Sequence, residues 1–433
     1  MRLSIVKMTR LHQWAIIVIV TIVALFGMSS SSTASETKDI TIWAYDNWAK
    51  AAEKAVEIYQ NNNPNSGYIF HVVAMGQDDM VQKVKVALST GAVDALPDIF
   101  YDEDYNYAEY ILYYGDMFHD LTPYFDLKKY NPFKTVNVTT DGATYAIPYD
   151  AGTGVMFYRT DLIQAAGLTD EDMDSLTWEQ FIEIGKKVKQ ATGVDMIIMC
   201  PGGDMEGRII YQSAGTWFFD ANGQENIKNN QAFSDAFATM KSLYQAGIVW
   251  DVPGWDDYFA AIANGKAAAL VGGSWWAPII SSYPEQSGLW RITQVPRLTG
   301  SDVYTNYSNL SGGNWFVIEN ENSEFASQFA VEMFANNQEL ADFMANEYYI
   351  VPTNRDLVAG LTVLPHPFWG SQDIITTLCQ YNENVPSVVY GLNAYEMTYT
   401  VGPLVGEYIS GKYTLDELLT KIYEAAIMIG GNS

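Results

Sequence analysis

The chain has 433 residues, 51 acidic against 24 basic side chains, a formal net charge of −27 and only two cysteines. So acidic a surface repels nucleic acid and anionic lipid, and two cysteines without a C-x-x-C or Cys/His cluster give no zinc site. Apolar residues make up 48% of the chain, so the acidity does not imply disorder.

The first 35 residues read as a secretory signal peptide. Arg2, Lys7 and Arg10 form a positive start, Trp14 to Met28 is an apolar run, and small residues at Ser32/Ala34 and Thr33/Ser35 fit a cleavage site. The run is shorter than the ~20 residues of a membrane-spanning helix; a signal left uncleaved as an anchor is the alternative. No cysteine lies near the cleavage point, so no lipid anchor is expected. Losing those three cations takes the formal charge from −27 to −30.

Beyond it, strand and helix alternate. Asp39 to Trp43 places Ile40 and Ile42 on one face, and Ala52, Val56 and Tyr59 recur at helical spacing before Asn61-Asn-Asn-Pro64. Tyr68 to Val73 is a second strand, Val81, Val84 and Leu88 mark a second helix ended by Gly91, and Pro97 to Tyr101 is a third strand. This order predicts an α/β lobe with a largely parallel sheet. Such sheets bind ligands beyond the carboxyl ends of their strands: here Trp43 to Trp48, Met75 to Asp79 and Tyr101 to Asp104. A turn at Asp141-Gly142 then leads through Ile147-Pro148-Tyr149-Asp150 and a Gly-rich stretch into a strand at Val155 to Tyr158 and a helix. Thr177-Trp-Glu-Gln180 is a capping box opening a helix that ends near Gly193. Cys200 closes an apolar run and is expected as a small buried hydrophobe; whether it pairs with Cys379 is left open. Trp217 to Gly223 reads as a strand and tight turn. Phe233, Phe237, Met240 and Tyr244 define a helix ended by Gly247, and Ala267 to Val271 a strand leading into Gly272-Gly-Ser-Trp-Trp276. Gly312 to Ile318, a helix from Ser323 to Asn336, and a second capping box at Thr414 to Glu417 complete the chain.

The stretch Asp141 to Gly167, DGATYAIPYDAGTGVMFYRTDLIQAAG, resembles the family 1 extracellular solute-binding proteins, the maltose-binding-protein-like sugar receptors of bacterial ABC importers. Thr177 to Phe181, Ser213 to Gly223, Gly265 to Trp275, Gly312-Gly313 and Gly411 to Glu417 follow in the family's order, so the resemblance covers nearly all of the mature chain. It implies a two-lobed α/β fold of the type II periplasmic-binding class. Three interlobe crossings are expected, at Ile147 to Gly152, Pro296 to Leu298, and Asn346 to Val351 leading into Val351-Pro-Thr-Asn354. The N-terminal lobe would hold 36–148 plus 298–350, and the C-terminal lobe 149–297 plus 351–433. The implied function is capture of a sugar or oligosaccharide in the cleft and delivery to a membrane permease. A monomer is expected, exported to the periplasm or the extracytoplasmic surface, with no catalytic residue, cofactor or metal.

A sugar needs flat rings for its C–H faces and planar polar groups for its hydroxyls. From the resemblance, Trp275 and Trp276 are the stacking candidates and Trp217 a third; a place in the core is the competing reading for each. Asp150 and Tyr149 follow the crossing proline, with a hinge or cap role for Asp150 as the alternative. Asp46, Asn47 and Trp48 follow the first strand, Gln77 and Asp79 the second, and Asp102 and Asp104 the third. At Asp46 and Asn47, and likewise at Gln77 and Asp79, a helix N-cap is an equally simple role. Gly313, Asn314 and Trp315 form a turn where paired glycines admit close backbone approach to a ligand. Glu206 and Tyr395 are second-lobe contacts. His71, His119 and His366 lack the spacing of a metal site or triad.

Two other functions compete. A glycoside hydrolase needs two carboxylates, yet no nucleophile elbow or phosphate loop is present. A cationic ligand, a polyamine or ferric ion, needs several desolvated carboxylates around one point.

Overall fold

The computed structural model describes residues 38–430 apart from 204, 221, 222 and 311. The expected signal peptide lies outside the described residues. From Lys38 onward the chain forms one compact unit, in which no described helix is long and apolar enough to cross a membrane.

Two sheets organise it. The first begins with β1 (Lys38–Ala44), β2 (Tyr68–Ala74) and β3 (Ile99–Glu103). In β1 side chains alternate, so Ile40, Ile42 and Ala44 turn inward. Register follows that pattern, Ile40 opposite Phe70 and Ile42 opposite Val72, in parallel. The connecting helices are Asp46–Asn62 and Gln77–Thr90. The first stops where Asn63 caps Tyr59 O ahead of Pro64, and the second at Gly91, whose φ of 68° suits glycine. A small hairpin of β4 (Thr139–Thr140) and β5 (Ala143–Thr144) precedes β6 (Ala146–Pro148).

The second sheet comprises β7 (Thr153–Arg159), β8 (Asp195–Met199), β9 (Val249–Asp251), β10 (Ala267–Gly273), β11 (Trp290–Gln294) and the short β12 (Ser308–Asn309). The chain then returns with β13 (Gly313–Val317). The sheet orders are β2-β1-β3-β13-β6 and β11-β7-β10-β8-β9, with β12 extending β7. Both expected capping boxes form. Thr177 and Gln180 satisfy each other at the start of Trp178–Thr192, and Thr414 and Glu417 do so before Leu415–Gly430. The helices Ala394–Ile409 and Leu415–Gly430 pack on the core of the second sheet. Trp217 to Asp220 is not a strand: a single bridge joins Phe219 to Glu225, although the expected turn closes with Gly223 N on Asp220 O at 3.0 Å. The helix at Ser323 is α-helical to Ala330 and widens into a π turn over Val331–Ala335.

Three segments join the lobes. The first runs from Pro148 to Thr153. The second lies later than Pro296 to Leu298, because Ser308 and Asn309 still pair with Gly154 and Thr153 of β7; the chain leaves this sheet only after Asn309. The third follows the helix Gln338–Tyr348, which ends at Tyr349 with a φ of 56°. Thr353 there bonds Pro148 O at 2.9 Å, tying it to the first segment.

Candidate functional site

The chain beyond β2 and β3 reaches the second lobe at Asp78 and Tyr105, and beyond β10 Trp275 reaches the hinge at Leu310. The first lobe brings mostly polar groups. Beyond β1, Asp46 is exposed, Asn47 half-buried, and Trp48 buried with its ring 4.7 Å from Tyr101 and nearly parallel to it. Beyond β2, Gln77 donates to Glu103 Oε1 at 2.9 Å, and Asp79 is exposed in the first helical turn. Its neighbour Asp78 reaches the other lobe, accepting from Tyr395 Oη at 3.0 Å.

Asp102 and Asp104, two residues apart, have different fates. Asp102 is fully buried and accepts from Glu103 N, Asn106 Nδ2 and Tyr110 Oη within its own lobe. It is spent on structure, and burial pushes its carboxyl up to about 6. Asp104 Oδ1 takes Lys134 Nζ at 2.5 Å and Asn314 Nδ2 at 2.9 Å, while Oδ2 has no partner among the described residues. Burial also raises this carboxyl to about 6, with Lys134 pulling the other way.

The crossings form the floor. Asp150 Oδ1 accepts from Tyr101 Oη at 2.6 Å and Gly313 N at 3.1 Å, which ties the first segment to the second. Burial raises its carboxyl, again against Lys134. Tyr149 is packed among Tyr101, Trp315 and Phe334. The Gly312-Gly313 pair serves chain against chain. A Cβ on Gly312 (φ 89°) would lie 2.7 Å from Asp150 O, and one on Gly313 2.5 Å from Asp102 O. Both glycines are thus needed for close packing of strand against hinge. Trp315 is a core residue, stacked on Phe334 at 3.9 Å.

The second lobe brings rings. Gly272 and Gly273 leave room for two indoles folded back on the end of β10: a Cβ at Gly272 would meet Trp276 at 2.4 Å, and one at Gly273 would meet Trp275 at 2.2 Å. Trp276 is fully buried, its Nε1 on Met205 Sδ, so it belongs to the core. Trp275 is partly exposed and donates to the hinge carbonyl of Leu310 at 3.2 Å. Trp255, which sequence reasoning missed, is 49% exposed with its ring 5.5 Å from Trp275 and 4.9 Å from Trp276. It follows β9, so the rule applied to the other strand ends would have found it. Trp217 is buried between Tyr211 and Tyr390 and belongs to the core. Glu206 is buried and accepts from Tyr258 Oη at 2.6 Å.

The lobes touch. Besides Asp78 and Tyr395, Lys85 pairs with Glu109 of its own lobe and Glu396 of the other, and Arg208 lies over the Tyr105 ring. Asn137 bonds Val388 O and Tyr390 N. Lys134, Arg208, Tyr105 and Tyr390 carried no sequence signal, because each matters only through a partner far along the chain. A cavity of about 380 Å³ remains at the junction, lined by Asp104, Tyr107 and Asn137 from one side and Phe219 and Tyr390 from the other. Rings beside an acceptor that has no partner among the described residues suit a neutral, hydroxyl-bearing molecule.

Among the described residues no group of three or more metal-ligating side chains gathers. Cys200 and Cys379 are free thiols, and burial pushes Cys379 up to about 12. His71, His119 and His366 bond Asp39, Glu319 with Tyr124, and Tyr349 respectively.

Residues 42–369 match the family model described as bacterial extracellular solute-binding protein. The chain is 32% identical over 406 residues to a lactose-binding protein of Rhizobium radiobacter, covering 91% of this chain and 94% of that one. In fold it resembles the sugar-binding protein MalE of Xanthomonas citri, with a TM-score of 0.76 at 17% identity over 91% of this chain and 97% of that one. It also resembles a transporter-associated binding protein of B. animalis subsp. lactis solved with β-1,6-galactobiose, with a TM-score of 0.69 at 19% identity over 91% and 98%.

Proposed function

This chain belongs to the bacterial extracellular solute-binding proteins, and we propose that it is the sugar-capturing receptor of an ABC importer, with a disaccharide of the lactose type as its solute. The observation that carries this reading is the junction cavity. One side is lined by Asp104, whose buried Oδ2 has no partner among the described residues, and the other by Phe219 and Tyr390. A neutral saccharide supplies hydroxyl donors for the first and C–H faces for the second. Trp255 and Trp275 widen the aromatic surface of the second lobe. Exported to the periplasm or the outer face of the membrane, the protein binds, closes and hands the solute unchanged to a permease; binding shifts a population of lobe arrangements toward the closed one. Calorimetric titration against lactose, β-1,6-galactobiose, arabino-oligosaccharides, maltose, spermidine and ferric citrate tests it. Saturable binding of a neutral saccharide, weakly dependent on salt and without consumption, is the expected result. Turnover of a glycoside, or binding confined to the cations, overturns it.

A further inference from the structure

We propose that Lys134 is a positioning residue for the solute: it holds Asp104 as a carboxylate whose free oxygen, Oδ2, accepts a hydroxyl of a neutral saccharide in the junction cavity. This rests on the reading of the junction as the sugar site. Lys134 is fully buried, and a lysine is rarely so unless its charge is answered. Its Nζ lies 2.5 Å from Asp104 Oδ1 and 3.4 Å from Gly313 O. Asp104 lines the cavity and Lys134 is not among the lining residues, so the lysine acts through the acid.

The arrangement divides the carboxylate. Oδ1 is occupied twice, by Lys134 and by Asn314 Nδ2, while Oδ2 is buried, lacks a partner among the described residues and belongs to a residue that lines the cavity. Leaving one oxygen of a buried carboxylate unanswered is costly, and a donor from the solute relieves that cost. A carboxylate accepts such a bond more strongly than an amide or a protonated acid. Without the lysine, burial would drive the proton on.

The other charged or titratable groups around Asp104 oppose ionisation or stand close by. Asp150 pushes its carboxyl up, Asp102 and Glu103 lie behind it on β3, and Tyr390 faces it from the second lobe with Arg208 beside Tyr105. Lys134 is the one cation bonded to it among the described residues. Its carboxyl, raised to about 6, is ionised at neutral pH and protonates just below. Affinity for a hydroxyl donor therefore rises with pH through that value and levels off above it.

The test joins two readouts on the full exported chain. The first is the titration of the Asp104 side-chain carboxyl by carbon NMR, in wild type and in Lys134→Met and Lys134→Gln, with melting curves as a check on folding. The midpoint should move upward in both variants by about one pH unit or more, since one unit is about tenfold in the proton equilibrium. An unmoved midpoint in a folded variant overturns the positioning role whether or not any sugar binds. The second is the affinity for lactose across the same pH range. Lys134→Met should bind roughly tenfold more weakly at neutral pH and recover at alkaline pH, and Asp104→Asn should be weak at every pH and gain no further loss from the second substitution. A moved midpoint with unchanged affinity removes Asp104 from the solute. Failure of lactose and the other saccharides to bind, with a moved midpoint, instead sinks the sugar reading and leaves the lysine–carboxylate coupling standing. Tighter binding of spermidine than of any saccharide overturns the neutral solute.

Discussion

The two lobes meet the junction with opposite chemistry. The first ends its strands in buried polar groups locked to one another: Asp104 to Lys134 and Asn314, Asp150 to Tyr101 and Gly313. The second ends its strands in indoles, with Trp255 and Trp275 partly exposed over a buried Trp276. The polar face is held rigid by hydrogen bonds that cannot relax without orphaning a buried group, and the aromatic face makes few directed bonds. If the junction takes a saccharide as proposed, the first lobe sets direction and specificity and the second supplies contact area.

The largest expected effect breaks that division at its base. Trp276→Ala empties a filled core position and should cost about 3–5 kcal/mol of folding stability, read as a lower melting temperature; an unchanged melt would move Trp276 to the ligand face. Trp255→Ala should do the reverse. Its half-exposed ring should cost about 2–4 kcal/mol of solute affinity by calorimetry with the melt nearly kept, the range of an aromatic anchor. On the polar side, Asp150→Ala strands the buried Tyr101 hydroxyl and Gly313 amide, and chemical denaturation should show a loss of about 1–3 kcal/mol. Acidification sharpens the contrast. The Asp102 carboxyl, at about 6 in the fold, lies above its ordinary value near 3.9 in an unfolded chain. The folded state therefore binds the extra proton, and stability tied to Asp102 rises as pH falls from about 6 toward about 4. Melting curves at stepped pH should show that rise, and Asp102→Asn should flatten it. The smallest effect concerns the rim. Lys85, paired with an acid on each lobe, should on change to Ala cost under about 1 kcal/mol of affinity, and the loss should shrink further with added salt.

Much of the scaffold was legible from local pattern. The alternation at Ile40 and Ile42, the helix stop within Asn61 to Pro64, the glycine ends at Gly91 and Gly193, and both capping boxes depend on neighbours a few residues away, and each is where it was read. The second crossing was not, because Ser308 and Asn309 are held by pairing with Thr153 and Gly154, some 155 residues earlier.

The candidate site divides along the same line. In the sequence the strand ends named Asp102 with Asp104, and the family resemblance named Trp275 with Trp276. Tertiary structure decided within each pair. Asp102 is consumed by Tyr110 and Asn106 while one Asp104 oxygen has no partner among the described residues; Trp276 turns onto Met205 while Trp275 turns to Leu310. Period and propensity say which face of an element a residue occupies, but the partner that covers that face comes from elsewhere in the chain. The same reason hid Lys134 and Trp255: a buried lysine and a surface indole have no local signature, and only the packed lobes give the one its carboxylate and the other its neighbouring rings.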